Sequence, residues 1–285
     1  MTTPHKNDMS AWESIGCTFG HRYHPTINIH DLPVGGHASY ADQTPIPERF
    51  RRDLDIEVWD WRGYMDLDGY CPARDVVSQT IAELGVWEPA ETTVMLLCME
   101  PLNGEGWFID MGCQIGWYSS IAASMGLNVL GIDADPECAA LAFGNIGRNA
   151  TGDPEGRFLD TSIIRLGVDE DPVLDPALIN GQHVVAKIDV EGAEPEAVDA
   201  LLPIIDSIDA MLIEISPVFH GRYVDLAFDL VKMGFEPYEI PPKHRPPTVL
   251  NELEDLRPFH LDRRSLNEIP VWHQSNVLFL RGGIS

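Results

Sequence analysis

From Trp107 onward the chain alternates short apolar runs with longer amphipathic stretches, and this alternation limits the folds available to it. The apolar runs are Trp107–Met111, Asn128–Asp133, Val184–Val190, Ala210–Ile215, Phe235–Ile240 and Val277–Leu280. The stretches with helical spacing are Tyr118–Met125, Glu137–Asn149, Pro195–Ile205 and Val224–Met233. Strands that alternate with helices form βαβ units, whose parallel sheet is covered on both faces. We therefore predict an α/β fold with a doubly wound, mostly parallel seven-stranded sheet that ends in an antiparallel pair.

The first 72 residues lack this alternation. They are rich in Pro, Gly, His and aromatic residues. We predict an irregular N-terminal extension over residues 1–72, available for substrate contacts, and a main domain at 73–285. The extension should pack over that domain because its aromatic side chains need an apolar surface. Two further helices are expected, at Ala73–Leu84 and Glu91–Met99.

The formal net charge of −26 limits the kinds of molecule that the protein is expected to bind. A surface with this excess of carboxylates repels polyanions, and the tightest basic group is Arg49, Arg51 and Arg52. No apolar segment approaches the roughly 20 residues that cross a bilayer, and residues 1–10 lack the layout of a secretory signal. We expect a cytoplasmic protein that binds no nucleic acid and has no membrane span. The oligomeric state stays open.

An acid and two glycines follow the first predicted strand, in the run FIDMGCQIG at residues 108–116. The spacing is D-x-G-x-x-x-G, whereas pyrophosphate-binding dinucleotide folds have G-x-G-x-x-G. S-adenosylmethionine has no phosphate, and its cationic groups suit the acid at the strand end. We predict a cofactor site that includes Asp110, Gly112, Cys113 and Gly116.

The ends of the next two predicted strands extend this site. Asp133 follows the glycines by roughly 20 residues, the position from which a carboxylate binds the ribose hydroxyls. Ala134 is expected to lie beside the adenosine. Asp160, at the end of a short third strand at Phe158–Thr161, is expected to meet the adenine amino group.

The most distinctive segment is VVAKIDVEGAE at residues 184–194, where a fourth strand ends at an acid and continues into a glycine turn with two more acids. Its KIDVEGAE run, with IDMGCQIGWYSS upstream and IDAMLIEISP downstream, resembles the FkbM-type family of S-adenosylmethionine-dependent methyltransferases. The resemblance covers about residues 91–240, with Cys113 where alanine is usual and Asp133 where glutamate is common. It implies a Rossmann-like class I methyltransferase fold, S-adenosylmethionine as cofactor, and methylation of a hydroxyl on a sugar, glycan or secondary metabolite.

A hydroxyl acceptor must lose its proton, which requires a base within hydrogen-bond reach. We predict Asp189 or Glu191 in this role, with His220 as an alternative. Glu214, which ends the fifth predicted strand, is expected to orient the hydroxyl. Lys187 either neutralises these acids or takes part in catalysis, and the sequence favours neither.

No metal site is predicted. The five cysteines include no CxxC pair, and the histidines of the extension have no zinc-template spacing. Those histidines are His21, His24, His30 and His37. Asp189, Glu191 and Glu194 could hold a divalent cation, but the family resemblance does not call for one.

Two alternative functions stay open. A nicotinamide-dependent oxidoreductase shares the acid at the strand end, but the glycine spacing and the missing Tyr-x-x-x-Lys pair disfavour it. A catalytically inactive methyltransferase-like scaffold would bind a partner through the N-terminal extension.

Overall fold

A mixed sheet forms the centre of the protein in the computed structural model, which describes residues 22–23, 26–28, 46–50, 52–59, 76–152, 157–166, 175–215, 223–240, 249–262, 265–266 and 275–284. The strands are β1 (Arg22–Tyr23), β2 (Thr26–Asn28), β3 (Asp53–Asp55), β4 (Val58–Trp59), β5 (Trp107–Met111), β6 (Asn128–Asp133), β7 (Leu159–Ile163), β8 (Val184–Ile188), β9 (Ile208–Ile215), β10 (Phe235–Glu239) and β11 (Ser275–Arg281). The first four form two small antiparallel pairs, β1 with β4 and β2 with β3.

Helices separate most of the strands of the large sheet. They are α1 (Val76–Leu84), α2 (Pro89–Met99), α3 (Trp117–Ser124), α4 (Pro136–Asn149), α5 (Pro176–Ile179), α6 (Glu194–Leu201) and α7 (Tyr223–Lys232). Short 3-10 turns lie at Glu48–Phe50, Glu100–Leu102, Leu202–Ser207 and Leu253–Phe259. Within the described ranges, no helix has both the length and the apolar composition to cross a bilayer.

The seven-stranded sheet has the order β10-β11-β9-β8-β5-β6-β7. Strands β5 to β9 pair in parallel, whereas β11 runs antiparallel to both β9 and β10. The predicted doubly wound, Rossmann-like sheet and its antiparallel terminal pair are therefore confirmed. The chain winds outward from β5 in one direction to β7, and then from β8 in the other. Ligands of open α/β sheets bind at such a switch point, beyond the carboxyl ends of the strands.

Alternation along the strands explains why both faces are covered. In β5, Phe108 packs into the core formed with α2, α3 and α4, whereas its neighbour Ile109 packs into the core formed with α6 and α7. Both side chains are fully buried. Successive side chains of a strand point to opposite faces, so a strand that is apolar at every position requires helices on both sides.

Part of the N-terminal extension belongs to the first of these cores. Phe50, Leu54 and Ile56 are buried there. Two asparagines of α4, one turn apart, bind the backbone of this segment as a neighbouring strand would. Asn149 accepts a hydrogen bond from the Asp55 N–H at 2.8 Å and donates one to the Asp55 carbonyl at 2.9 Å. Asn145 binds the N–H and carbonyl of Glu57 in the same way, at 2.7 and 2.9 Å.

We expect Asn149→Ala to loosen this segment selectively. The change leaves two part-buried backbone groups without their partner, which costs about 1–2 kcal/mol. Trypsin cleavage after Arg52, followed by mass spectrometry, should accelerate several-fold at a temperature where the far-ultraviolet circular dichroism is unchanged. An unchanged rate at this bond would show that the asparagine ladder does not hold the extension in place.

Candidate functional site

A cavity of about 900 Å³ opens at the carboxyl edge of the sheet, over the switch point between β5 and β8. Eight carboxylic acids line it: Glu88, Glu91, Asp110, Asp133, Asp189, Glu191, Glu214 and Glu239. The basic side chains of its lining are Lys187 and Arg165, within the described part of the chain. The site therefore joins a concave surface of ligand size to an unusually acidic lining.

The loop after β5 passes close to the end of β8 because it contains a glycine. Gly112 has φ +82°, and a Cβ there would lie 1.7 Å from the carbonyl oxygen of Asp189. The Asp189 N–H in turn donates to the carbonyl of Met111 at 2.9 Å. Only a residue without a side chain allows the two loops to meet at the switch point.

The carboxylate of Asp133 connects the glycine loop to the end of β6. One oxygen accepts from the Gln114 N–H at 2.8 Å, and the other accepts from the Asp135 N–H at 2.9 Å. The side chain is partly exposed to the cavity, which Ala134 also lines. A carboxylate oxygen has two acceptor sites, so both oxygens retain capacity for hydroxyl donors.

Asp110 is a buried acid with an incomplete set of hydrogen bonds. Its Oδ2 accepts from the N–H and the hydroxyl of Ser119, at 3.2 and 2.7 Å. Its Oδ1 has no partner among the described residues, although the residue is only 1% exposed. Burial raises the pKa of Asp110 to about 6, against the opposing effects of Lys187 and Ser119. A buried acceptor without a donor calls for a partner such as a bound water or a ligand group.

Three further residues of the predicted cofactor site have different environments. Cys113 lines the cavity, but burial raises the pKa of its thiol well above the usual range, so it is an unreactive packing group. Gly116 is outside the cavity lining and packs against Ala142 of α4. Asp160 does not line the cavity either.

The prediction for Asp160 needs correction. Strand β7 runs from Leu159 to Ile163, so Asp160 is its second residue and is exposed, away from the carboxyl end. Residues 164–166 follow β7 and line the cavity instead. Strand β7 lies at the edge of the sheet and has polar residues on one face. Because its apolar run is short, the sequence predicted an end at Thr161, two residues before the true end at Ile163.

The predicted catalytic acids at the ends of β8 and β9, Asp189 and Glu214, share a hydrogen bond beside a buried lysine. Lys187, which is 4% exposed, donates to Asp189 at 2.8 Å. Burial favours the neutral acid, but the ammonium group and a hydrogen bond from Glu214 outweigh it and lower the pKa of Asp189 to about 2. Burial and the Asp189 charge raise the pKa of Glu214 to about 10. The Asp189–Glu214 pair therefore holds one shared proton at neutral pH, and the adjacent ammonium favours the ionised form of Asp189.

Glu191 lies next to this pair at the edge of the cavity. It is exposed and has φ +52°, a conformation that costs a non-glycine residue about 1 kcal/mol or more. Burial of its carboxylate and then the Asp189 charge raise the pKa of Glu191 above its usual value. His220 lies outside the described residues.

The three acids that the structure groups closely enough to hold a cation differ by one residue from the three suggested by the sequence, with Glu214 in place of Glu194. Carboxylate oxygens of Asp189, Glu191 and Glu214 lie within 4.8 Å of one another. Glu194 instead is buried and accepts from the Gly192 N–H at 2.9 Å, at the start of α6. The Lys187 ammonium already supplies positive charge to Asp189.

Sequence reasoning missed the acids that α2 brings to the cavity. Glu88 precedes α2 with φ +43° and accepts from the Tyr118 hydroxyl at 2.8 Å. Burial, and then the charge of Glu91, raise the pKa of Glu88 to about 7. Glu91, in the first turn, accepts from the Asn276 side chain at 2.9 Å. An acid followed by proline, as in Glu88-Pro89, indicates only the start of a helix, so no local signal places these groups at the sheet edge.

No protein-family description matches this chain, and no curated protein sequence resembles it. Solved structures with related folds include a TehB-like SAM-dependent methyltransferase from Corynebacterium glutamicum, at 18% identity and TM-score 0.41, over 71% of this chain and 93% of that one. Another is a magnesium protoporphyrin IX methyltransferase from Synechocystis with bound SAM, at 15% identity and TM-score 0.40, over 74% and 86%. Both structures are only distantly similar to this protein. The fold assignment therefore rests on the strand order of the sheet itself.

Proposed function

We propose that this protein is an S-adenosylmethionine-dependent methyltransferase that methylates a hydroxyl group of a sugar, glycan or secondary metabolite. The observation that carries the proposal is the unpartnered Oδ1 of Asp110 in a cavity at the switch point. The same cavity contains Asp133, whose carboxylate stands where such folds bind ribose hydroxyls. The narrower assignment to an FkbM-type enzyme and to O-methylation rests on the KIDVEGAE and IDMGCQIGWYSS resemblance.

The residues around β5 and β6 fit this cofactor. Asp133 would bind the ribose hydroxyls, and Asp110 would receive a cationic group at its free oxygen. Gly112 and Cys113 would pass beneath the cofactor because the loop has no bulky side chain there. The cofactor, when bound, supplies the methyl group on a positively charged sulfur. Burial of Asp110 strengthens its attraction for such a charge.

The acids beyond β8 and β9 would handle the proton of the acceptor. The Asp189–Glu214 pair holds one proton, so it can donate to or accept from a hydroxyl and fix its orientation. Asp189 is a weak base because Lys187 stabilises its ionised form. Glu191 and Glu88, whose pKa values are both raised, are better matched to proton abstraction near neutral pH.

Titration calorimetry with S-adenosylhomocysteine tests the proposal, with Asp133→Ala and Asp160→Ala as matched variants. We expect micromolar binding by the wild-type protein and at least a 100-fold loss in Asp133→Ala. That change removes the charged acceptor and the hydrogen bond by which it holds the Gln114 N–H of the glycine loop. Asp160→Ala should bind like the wild type, because Asp160 is outside the cavity.

The same titration separates the other functions. A folded wild-type protein that binds NADH but not S-adenosylhomocysteine would replace the methyltransferase proposal by an oxidoreductase. Cofactor binding without methyl transfer to any of a panel of hydroxylated acceptors would favour the inactive scaffold.

A further inference from the structure

The glycine loop, residues 112–116 after β5, has one side towards the cavity and the other towards the protein core. Three of its residues line the half of the cavity over β5 and β6, which we call the cofactor half: Gly112, Cys113 and Gln114. The next residue, Ile115, is fully buried in the core that also contains Leu54 of the N-terminal extension. The loop assigned above to the cofactor therefore lies between the cavity and the extension.

One side chain of α4 binds the loop and the extension at the same time. The Asn145 amide donates to the Ile115 carbonyl at 2.7 Å and to the Glu57 carbonyl at 2.9 Å. Its oxygen accepts from the Glu57 N–H at 2.7 Å and from the Arg148 guanidinium. An asparagine side chain has two donor hydrogens and two acceptor sites, and Asn145 uses all four. The orientation of this buried amide is therefore fixed from both sides.

Two further contacts hold the loop and the extension against α4. Gly116 packs so closely that a Cβ there would lie 3.0 Å from Ala142, which is three positions before Asn145. Arg148, three positions after Asn145, forms an ion pair with the Glu57 carboxylate at 3.0 Å. Residues three positions apart are neighbours on a helix surface, so successive turns of α4 hold first the loop and then the extension.

The residue before Ile115 connects this link to the cofactor half. Gln114 has φ +47°, and its N–H donates to the Asp133 carboxylate at 2.8 Å. A left-handed conformation at a residue other than glycine persists only where the surrounding structure holds it. Asn145 supplies such support on the side of the loop opposite to the cavity. Release of the Ile115 carbonyl would let the loop relax and turn the Gln114 N–H away from Asp133.

We propose that Asn145 is a positioning residue for cofactor binding, which holds the glycine loop in its binding conformation by joining it to the N-terminal extension. This inference rests on the proposed methyltransferase function. It gives the extension a part in cofactor binding without contact, since no described residue between 46 and 59 lines the cavity. Coupling between two equilibria is reciprocal, so a cofactor that orders the loop also holds the extension more firmly.

Hydrogen exchange followed by mass spectrometry tests this coupling in the full wild-type chain. Saturating S-adenosylhomocysteine should slow the exchange of the amides at residues 53–58 at least about three-fold, although these residues lie outside the cavity. The amides of α7, which packs on the other face of the sheet, should exchange at an unchanged rate. Unchanged exchange at residues 53–58 in a protein that binds the ligand would overturn the inference.

Asn145→Ala and Asn149→Ala form a matched pair, because both asparagines bind the backbone of the extension. The Asn149 amide group binds the Asp55 backbone and the Asn145 carbonyl, whereas the Asn145 amide also binds the loop. Calorimetric titration with S-adenosylhomocysteine should show an affinity at least about ten-fold weaker in Asn145→Ala, and within about three-fold of the wild type in Asn149→Ala. Equal losses in the two variants, or wild-type affinity in a folded Asn145→Ala protein, would overturn the inference.

Arg148→Met covers the case in which Asn145→Ala does not fold. The Arg148 side chain is 26% exposed, and its replacement removes the ion pair with Glu57 and one donor to Asn145 without touching the loop. We expect an affinity for S-adenosylhomocysteine about three- to five-fold weaker than in the wild type, with less protection of residues 53–58 by the ligand. Wild-type affinity together with full protection would speak against the link.

The methyltransferase proposal and this inference fail in different ways. A folded wild-type protein that binds no S-adenosylhomocysteine overturns the first, and exchange in the ligand-free protein then decides the second. Asn145→Ala, or Arg148→Met in its place, should accelerate exchange of the amides at residues 112–116 several-fold, and Asn149→Ala should not. Unchanged exchange in the loop would show that Asn145 does not position it. Normal ligand binding without a difference between the two asparagine variants overturns the inference alone.

Discussion

Gly112→Ala is expected to abolish cofactor binding and to destabilise the protein by about 2–4 kcal/mol. The new Cβ would lie 1.7 Å from the Asp189 carbonyl oxygen, and alanine is disfavoured at φ +82°. Either the glycine loop or the turn after β8 must move, and these two segments form the floor of the cavity. Calorimetric titration with S-adenosylhomocysteine should show at least a 100-fold loss of affinity, and the denaturant midpoint should fall.

Gly147→Ala is the matched control for this change. Gly147 lies in α4, where an added Cβ meets no atom within 4 Å. Alanine stabilises an exposed helix position by about 0.5–1 kcal/mol, so the two glycine substitutions should shift stability in opposite directions. A Gly112→Ala protein with normal stability and normal affinity would contradict the close approach at the switch point.

Lys187→Met is expected to cost about 3–5 kcal/mol of stability at pH 8, which lowers the Tm by roughly 5–15 °C. The lysine is buried, and its ammonium compensates the charges of Asp189, Glu88 and Asp110. Methionine fills the space but leaves these carboxylates without a cation. Differential scanning calorimetry at several pH values would measure the loss.

The pH dependence separates lost charge from lost packing. In the wild type the pKa of Asp189 is lowered to about 2, so this group contributes stability above its unfolded value of 3.8 that is lost as the pH falls towards 2. In Lys187→Met its folded pKa should exceed the unfolded value, so the folded state binds the proton more tightly and stability falls as the pH rises. The deficit of the variant should therefore shrink between pH 8 and pH 5.

Lys232→Met provides the control for burial. Lys232 pairs with Asp229 at 2.7 Å, a distance like that of the buried pair, but its side chain is 74% exposed against 5% for Lys187. Exposed pairs contribute about 0–1 kcal/mol. Equal losses in the two variants would show that the buried ammonium is not needed for charge balance, and a deficit independent of pH would indicate packing alone.

Much of the fold and of the cofactor half was predictable because the signals are local. Apolar strands that end in Asp110, Asp133, Asp189 or Glu214 bring these acids to one edge, since parallel strands share their carboxyl end. The burial of the central strands β5 and β8 on both faces is visible as a largely apolar run. The position of Asp160 was not predictable, because an edge strand with polar residues gives no clear end.

The sequence by itself determined the winding of the sheet and which strand ends carry acids, since both follow from periodicities of a few residues. Only the tertiary structure decided that Asp189 and Glu214 share a proton and how far the acidic lining extends. The Asn276–Glu91 hydrogen bond joins residues 185 positions apart. The Lys187 ammonium lowers the pKa of Asp189, which shares a hydrogen bond with Glu214 of another strand. Such electrostatics depend on distances and burial across elements, which no local pattern encodes.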